Sequence, residues 1–213
     1  MDMVETFAKA GIIPVIVIDN VEQAVPLARA LVKGGLPVLE ITFRTSCAAA
    51  AIAKIKAEVP GAVLVAGTVI RLDQLVAAKA AGAEACVSPG FDPYLVEAAN
   101  KLGMPFCPGT ATAGEMCQAL RLGCRMVKFF PAESAGGVTY IKDVLGALRW
   151  TGIKVMPTGG VKLSNVADYL AVPEIACCGG TWIAPKDAVA NGDWATVEKL
   201  AADAAALVKQ IRG

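Results

Sequence analysis

Charged side chains interrupt two strand-like runs of the sequence that are otherwise apolar. Lys128 lies in MVKFFP (126–131), and Glu40 and Arg44 lie in VLEITFR (38–44). Because alternate residues of a strand face opposite sides, Glu40 and Arg44 share one side of their strand. In a barrel of parallel strands, all three charged side chains could face inward near the C-terminal strand ends, where active sites form.

An amine, a carboxylate and a guanidinium at one site could carry out covalent chemistry. An apolar setting favours the neutral, nucleophilic form of an amine such as that of Lys128. Glu40 could then shuttle protons, and Arg44 offers a planar fork for a substrate carboxylate. A structural ion pair between Lys128 and Glu40 without a catalytic role is the alternative. Three inward charges in a chain with no histidine favour the functional interpretation.

Glycine pairs follow the last two strand-like runs. Gly159-Gly160 comes after MPT (156–158), and Gly179-Gly180 precedes the hydroxyl residue Thr181. Loops after the seventh and eighth strands of a barrel often bind phosphate through backbone N–H groups. The two pairs therefore predict a phosphate site. A third pair, Gly136-Gly137, could form a flexible loop but is better explained as a cap of the next helix.

The elements that would position these residues alternate along the chain. Short apolar runs are separated by alanine-rich segments of helical period, and several of these segments end at glycine. Eight such units in a chain of 213 residues predict a single-domain (β/α)8 barrel over residues 1–213. An open doubly wound sheet is the rival, but it would usually carry a glycine-rich turn after the first strand. The predicted strands are 12–18, 38–43, 63–68, 85–89, 105–108, 126–131, 154–157 and 175–179, and the predicted helices include 21–32, 47–59, 72–81, 93–102, 113–122 and 194–211.

Composition excludes several classes of protein. Hydrophobic residues make up 55% of the chain, and its net charge is only +1. Lysine and arginine are scattered along the chain, so neither a nucleic-acid surface nor a membrane surface is indicated. No apolar run is long enough to span a bilayer and no signal peptide is apparent, which predicts a cytoplasmic location. Seven cysteines without a CxxC pair, in a chain without histidine, predict reduced core thiols rather than a zinc site.

Several motifs together resemble one enzyme family. The segments LEITFRT (39–45), VLVAGTV (63–69), VSPG (87–90), VKFFPAE (127–133), MPTGGV (156–161) and GGTW (179–182) are similar to those of 2-keto-3-deoxy-6-phosphogluconate aldolases, a family that includes 4-hydroxy-2-oxoglutarate aldolases. The resemblance extends over nearly the whole chain. It implies a cytoplasmic, homotrimeric class I aldolase of the Entner–Doudoroff pathway, without metal or other cofactor. Its small-molecule partners would be a phosphorylated keto acid and pyruvate.

The resemblance also implies roles for individual residues. Lys128 would form the Schiff base, and Glu40 would be the general acid and base. Thr181 departs from the serine expected in many relatives, and its extra methyl group could alter the sugar preference. The remaining implied residues line the pyruvate pocket (Arg44, Thr68 and Pro89, with Phe130 close by) or hold the phosphate (Gly159, Gly160, Gly180 and Thr181).

Other functions stay open at the level of sequence. The substrate could instead be 4-hydroxy-2-oxoglutarate or the phosphogalactonate epimer. A phosphosugar epimerase or isomerase would share the phosphate loops but would form no imine. A non-catalytic sensor of phosphorylated ligands would leave the Lys128 and Glu40 pair unexplained.

Overall fold

The computed structural model describes residues 2–213, in which parallel strands alternate with helices. The strands are β1 (Ile12–Ile16), β2 (Val38–Thr42), β3 (Val63–Gly67), β4 (Ala85–Val87), β5 (Phe106–Cys107), β6 (Gly109–Thr110), β7 (Met126–Phe129), β8 (Lys154–Pro157) and β9 (Cys178–Gly180). The helices are α1 (Met3–Ala10), α2 (Ala24–Lys33), α3 (Ala48–Glu58), α4 (Leu72–Ala80), α5 (Pro93–Leu102), α6 (Ala113–Arg121), α7 (Gly137–Leu148), α8 (Val166–Leu170), α9 (Lys186–Ala190) and α10 (Trp194–Arg212), with 3-10 turns at Val21–Gln23 and Arg149–Thr151.

The strands form two parallel sheets that are joined by isolated bridges. Six strands are ordered β5-β4-β3-β2-β1-β9, and three are ordered β6-β7-β8. Parallel bridges between Val155 and Ile175 and between Thr158 and Gly179 connect β8 to the chain around β9. The molecule is therefore an α/β fold with a curled parallel sheet.

The strand predicted at 105–108 is shortened to β5, and β6 follows it beyond the predicted end, so residues 2–213 form nine short strands where the sequence predicted eight. Pro108 stands between them, and proline has no backbone N–H to donate to a neighbouring strand. β5 pairs with β4, while β6 pairs with β7. The Pro108 carbonyl still accepts a hydrogen bond from the Lys128 N–H at 2.9 Å, so the residue between β5 and β6 is itself bonded to β7.

The predicted alternation of strand side chains is confirmed. Leu39 and Val127 belong to the large apolar cluster that includes the buried faces of the helices. Val38 and Met126 belong to a second apolar cluster with residues of the other strands. Since Glu40 and Lys128 are each two residues further along, they lie on the side of the second cluster, within the curl of the sheet.

Helix ends follow the expected capping rules. In α5, Asp92 caps the first turn and Gly103 ends the helix in the left-handed conformation at φ 62°. α7 begins at Gly137 with Gly136 as its N-cap, so the capping interpretation of this glycine pair is confirmed. α1 was not predicted from the sequence. Within residues 2–213, no helix combines the length and the apolar character needed to cross a membrane.

The seven cysteines are free thiols, as predicted. Five are buried and two are partly exposed, so most of them serve as small core residues. The buried set is Cys86, Cys107, Cys124, Cys177 and Cys178.

Candidate active site

A buried ion pair joins two strands on the inner side of the sheet. Lys128 is in β7 and Glu40 is in β2, and the Lys128 Nζ donates to Glu40 Oε1 at 3.2 Å. The side chains are 4% and 0% exposed. Burying two charges costs several kcal/mol per ion unless the pair is well formed. The structure therefore brings together the two residues predicted to be catalytic and almost completely removes them from solvent.

A glycine makes room for the carboxylate of this pair. A Cβ atom on Gly67 would lie 2.3 Å from Glu40 Oε1, so any side chain at this position would displace Glu40. The other carboxylate oxygen, Oε2, is buried and has no hydrogen-bond partner among residues 2–213. One oxygen of Glu40 therefore holds the amine, and the second is free to accept a proton.

Arg44 and Thr68 meet at the strand ends above this pair. The Arg44 Nε donates to Thr68 Oγ1 at 3.2 Å. Thr68 has a φ of 56°, which is uncommon for a residue other than glycine. Such strain persists only where the surroundings hold it, and it is found preferentially at ligand sites.

A cavity of about 330 Å³ opens at these strand ends. Seven of the residues predicted to bind substrate line it: Arg44, Thr68, Pro89, Phe130, Gly159, Gly160 and Thr181. Lys128 and Glu40 do not line it, but each precedes a residue that does: Phe130 follows Lys128 by two positions just after β7, and Arg44 follows Glu40 by four positions just after β2. The Lys128 Nζ is 5.6 Å from the centre of the Phe130 ring, so the amine lies just below the floor of the cavity.

The glycine loop after β8 adopts a backbone that other residues rarely adopt. Gly159 and Gly160 have φ values of 96° and 79°. A Cβ atom on Gly159 would also lie 3.2 Å from the Phe130 ring. Both glycines are therefore required for this loop to reach the cavity.

The second glycine pair differs from the prediction in one respect. Gly179 and Thr181 line the cavity, whereas Gly180 does not. A Cβ atom on Gly180 would collide with the Trp182 ring, so Gly180 provides space for this ring, which follows β9.

The sequence analysis assigned no role to three lining residues, Val15, Thr158 and Val161, whereas Gly179 belongs to the glycine pair that it predicted to bind phosphate. Thr158 is the most informative, because it is 5% exposed and its Oγ1 has no partner among residues 2–213. A hydroxyl residue directly before a glycine pair at a strand end was the available signal.

A larger cavity of about 740 Å³ adjoins this one and shares Val15, Arg44 and Thr181 with it. It extends towards α9, where Lys186 and Asp187 line it. Size alone would favour this larger cavity as the active site. However, the strained Thr68, the glycine loop after β8 and the buried pair of Lys128 and Glu40 all lie at or next to the smaller cavity.

A cysteine close to the lysine is kept unreactive. Burial raises the pKa of the Cys107 thiol well above its usual range, and the nearby charge of Lys128 offsets this only in part. The reactive species of cysteine is the thiolate. Cys107 is therefore not a candidate nucleophile at this site.

A buried lysine and carboxylate below a cavity with an arginine and a glycine loop define an α/β enzyme with a lysine-centred site. Comparisons with known proteins identify the family. Residues 3–200 match the family model described as KDPG and KHG aldolase, where KDPG is 2-keto-3-deoxy-6-phosphogluconate. The chain belongs to this family, and the identification made from the sequence motifs is confirmed.

Individual relatives agree with this assignment. A 2-dehydro-3-deoxy-phosphogluconate aldolase of Treponema pallidum is 44% identical, covering 92% of each chain. A Legionella pneumophila KDPG aldolase, crystallised with pyruvate captured at low pH as a covalent carbinolamine, has a TM-score of 0.92 at 39% identity and covers 96% of this chain and 98% of its own. A Zymomonas mobilis aldolase with 3-phosphoglycerate has a TM-score of 0.89 at 40% identity over 97% and 96%. The prediction of an aldolase is confirmed, and the epimerase, isomerase and sensor alternatives are not supported.

Proposed function

We propose that this protein is a class I aldolase that cleaves 2-keto-3-deoxy-6-phosphogluconate reversibly to pyruvate and glyceraldehyde 3-phosphate. The observation that carries the proposal is the buried pair of Lys128 and Glu40, 3.2 Å apart below a cavity lined by Arg44. The Legionella relative with a covalent pyruvate adduct supports a covalent mechanism here.

In the first half of the reaction, Glu40 takes a proton from the Lys128 ammonium group, and the neutral amine attacks the C2 carbonyl of the keto acid and forms a carbinolamine. Glu40 then gives the proton to the C2 hydroxyl group so that it can leave as water. Loss of water gives an iminium ion, which is an electron sink. Glu40 accepts the proton of the C4 hydroxyl, and the C3–C4 bond breaks. Its electron pair moves to the iminium nitrogen, which leaves an enamine of pyruvate and releases glyceraldehyde 3-phosphate.

In the second half, Glu40 returns the proton to C3 of the enamine. Water then adds to the pyruvate iminium, and the C–N bond breaks to release pyruvate and the free amine. The free Oε2 atom suits this exchange, because it can take the proton while Oε1 stays with the lysine.

The remaining cavity residues would bind the two ends of the substrate. Arg44, held by Thr68, faces the same cavity as Pro89 and Phe130, and this wall would hold the pyruvate portion. Gly159, Gly160 and Thr181, with Gly180 behind them, would hold the phosphate. The 3-phosphoglycerate bound to the Zymomonas relative supports a phosphorylated ligand.

Reduction with borohydride in the presence of pyruvate tests the covalent step. We expect a mass increase of one reduced pyruvyl group on the peptide that contains Lys128. Lys154 provides a control position, since Lys154→Ala should keep the adduct and Lys128→Ala should lose both adduct and activity. Glu40→Gln should still form the adduct but turn over slowly. An active wild-type enzyme without the adduct would refute the mechanism.

A coupled assay for pyruvate release identifies the substrate. We expect the highest kcat/KM with the phosphogluconate-derived keto acid, compared with its galactonate epimer and 4-hydroxy-2-oxoglutarate. A higher kcat/KM with either of the other two compounds would transfer the assignment to that substrate.

We also propose that residues 1–213 form one domain, a (β/α)8 barrel in which the bridges from Val155 to Ile175 and from Thr158 to Gly179 complete the circle. A cytoplasmic homotrimer stays a prediction. An apolar patch on and before α4 supports association, because Ile70, Leu72 and Val76 are 53%, 39% and 50% exposed. Light scattering of the wild type and of Val76→Glu would measure the oligomeric state.

A further inference from the structure

A second loop packs against the glycine loop after β8. Glu133, which follows the Lys128 strand, donates its backbone N–H to the Gly159 carbonyl at 3.0 Å. Its neighbour Ala132 donates to the Thr158 carbonyl at 2.8 Å. The backbone of residues 158–159 is therefore tied directly to the loop that follows the proposed nucleophile.

The side chain of Glu133 adds a third contact. A Cβ atom on Gly160 would lie 2.6 Å from both Cβ and Cγ of Glu133, so the stem of this side chain rests against the glycine. A larger residue at position 160 would push the two loops apart. Glu133 itself does not line the cavity, so it could affect a ligand only through the glycine loop.

The carboxylate of Glu133 accepts a hydrogen bond from a residue of α8. The Tyr169 hydroxyl donates to Glu133 Oε1. Tyr169 is 1% exposed and lies in α8, which follows the glycine loop along the chain. Burial, together with the Glu133 carboxylate, raises the pKa of the Tyr169 hydroxyl well above its usual range, so it stays protonated and remains a donor.

These contacts join the glycine loop to Glu133 and Glu133 to Tyr169, and Tyr169 lies in α8, which follows the glycine loop along the chain. We propose that Glu133 and Tyr169 are positioning residues that hold Gly159 and Gly160 in the conformation that binds the substrate phosphate. This inference rests on the proposed function, since it assigns the phosphate to that loop.

Removal of the Tyr169 hydroxyl tests the connection. In Tyr169→Phe, we expect the KM for the phosphorylated keto acid to rise about 10-fold with kcat within about twofold, because a partly buried hydrogen bond to a charged group is lost. Inhibition by inorganic phosphate should weaken by a similar factor. The kcat/KM for the same keto acid without its phosphate should stay within about twofold of wild type.

Two further variants separate the hydrogen bond from the charge. Glu133→Gln keeps an acceptor and the stem on Gly160, so its KM should stay close to that of wild type. Glu133→Ala removes both contacts and should behave like Tyr169→Phe. Tyr140→Phe is the matched control, since it removes a phenolic hydroxyl from α7 and leaves the contact of Tyr169 with Glu133 unchanged.

The outcomes are distinct. An unchanged KM in Tyr169→Phe, or an equal loss with both substrates, would overturn the positioning role. If Tyr169→Phe does not fold, the Glu133→Ala variant provides the test instead, because Glu133 is exposed and its replacement should not prevent folding. A wild-type KM in Glu133→Ala would equally overturn the positioning role. Wild-type enzyme that neither forms the pyruvate adduct nor releases pyruvate would instead refute the proposed function.

Discussion

The buried pair of Lys128 and Glu40 allows a quantitative test of its charge state. The perturbations are Lys128→Met, Glu40→Gln and the double variant, which together form a double-mutant cycle. Each replacement keeps most of the side-chain volume. The two charged groups are 3.2 Å apart with side chains 4% and 0% exposed, so solvent screens their interaction very little.

The size of the effect follows from Coulomb's law. At an effective dielectric constant of about 20, two unit charges at this separation attract by about 5 kcal/mol. Removing one partner of a buried pair typically costs about 3–5 kcal/mol, because the other charge is left unpaired. A neutral amine and a neutral carboxylic acid would instead be coupled by about 1 kcal/mol, the value of an ordinary hydrogen bond.

Urea denaturation of the four proteins measures the free energy of unfolding, with the slope checked for constancy across the set. We expect a coupling energy of about 3–5 kcal/mol. The control cycle uses Lys56 and Glu84, which are closer at 2.9 Å but have side chains 48% and 30% exposed. Solvent screening should reduce their coupling to about 1 kcal/mol or less.

A coupling near 1 kcal/mol for the buried pair would show that it is not ionised in the resting enzyme. Additivity within about 0.5 kcal/mol would refute the interaction itself. A control pair coupled as strongly as the buried pair would refute the argument that burial decides the magnitude.

Three further predictions concern binding, stability and reactivity. Arg44→Lys should raise the KM about 10-fold in the pyruvate-release assay, because an ammonium group cannot form the planar fork of a guanidinium; an unchanged KM would remove Arg44 from the carboxylate site. Arg212→Ala should lower the melting temperature by about 4 °C in calorimetry, because the guanidinium donates three hydrogen bonds to backbone carbonyls. Ellman's reagent at pH 8 should label the partly exposed Cys47 and Cys117 quickly, whereas Cys86 should stay unlabelled in folded protein, since burial raises the pKa of its thiol to about 12.

Much of the fold could be predicted because the strands alternate strictly between two environments. Residues such as Leu39 and Val127 meet helices, and their neighbours face the inside of the curl. The same alternation, read from the sequence alone, predicts that Glu40 and Lys128 share one inner surface. The ends of the elements were less predictable, since the division of β5 from β6 depends on which neighbour each half pairs with.

The finer features of the site depend on contacts between segments that are distant in sequence. Gly67 is required because Glu40 approaches it from the neighbouring strand, 27 positions earlier in the chain. The contact of Tyr169 with Glu133 spans 36 positions. Local periodicity carries no information about such pairs. α1 was missed for another reason, because a helix of eight residues at the chain start has too few turns for a clear period.

The position of the buried charges argues against a purely structural pair. Two residues before Glu40 and Lys128, on the same inner side, the chain places Val38 and Met126 in an apolar cluster. Apolar side chains are therefore able to fill this interior, and replacing a buried ion pair by apolar residues is often neutral or stabilising. The charges of Lys128 and Glu40 lie on the part of this inner surface that is next to the cavity. There, the Oε2 atom of Glu40 has no hydrogen-bond partner among residues 2–213. A stabilising pair would satisfy both oxygens, whereas a proton-transfer site needs one of them free.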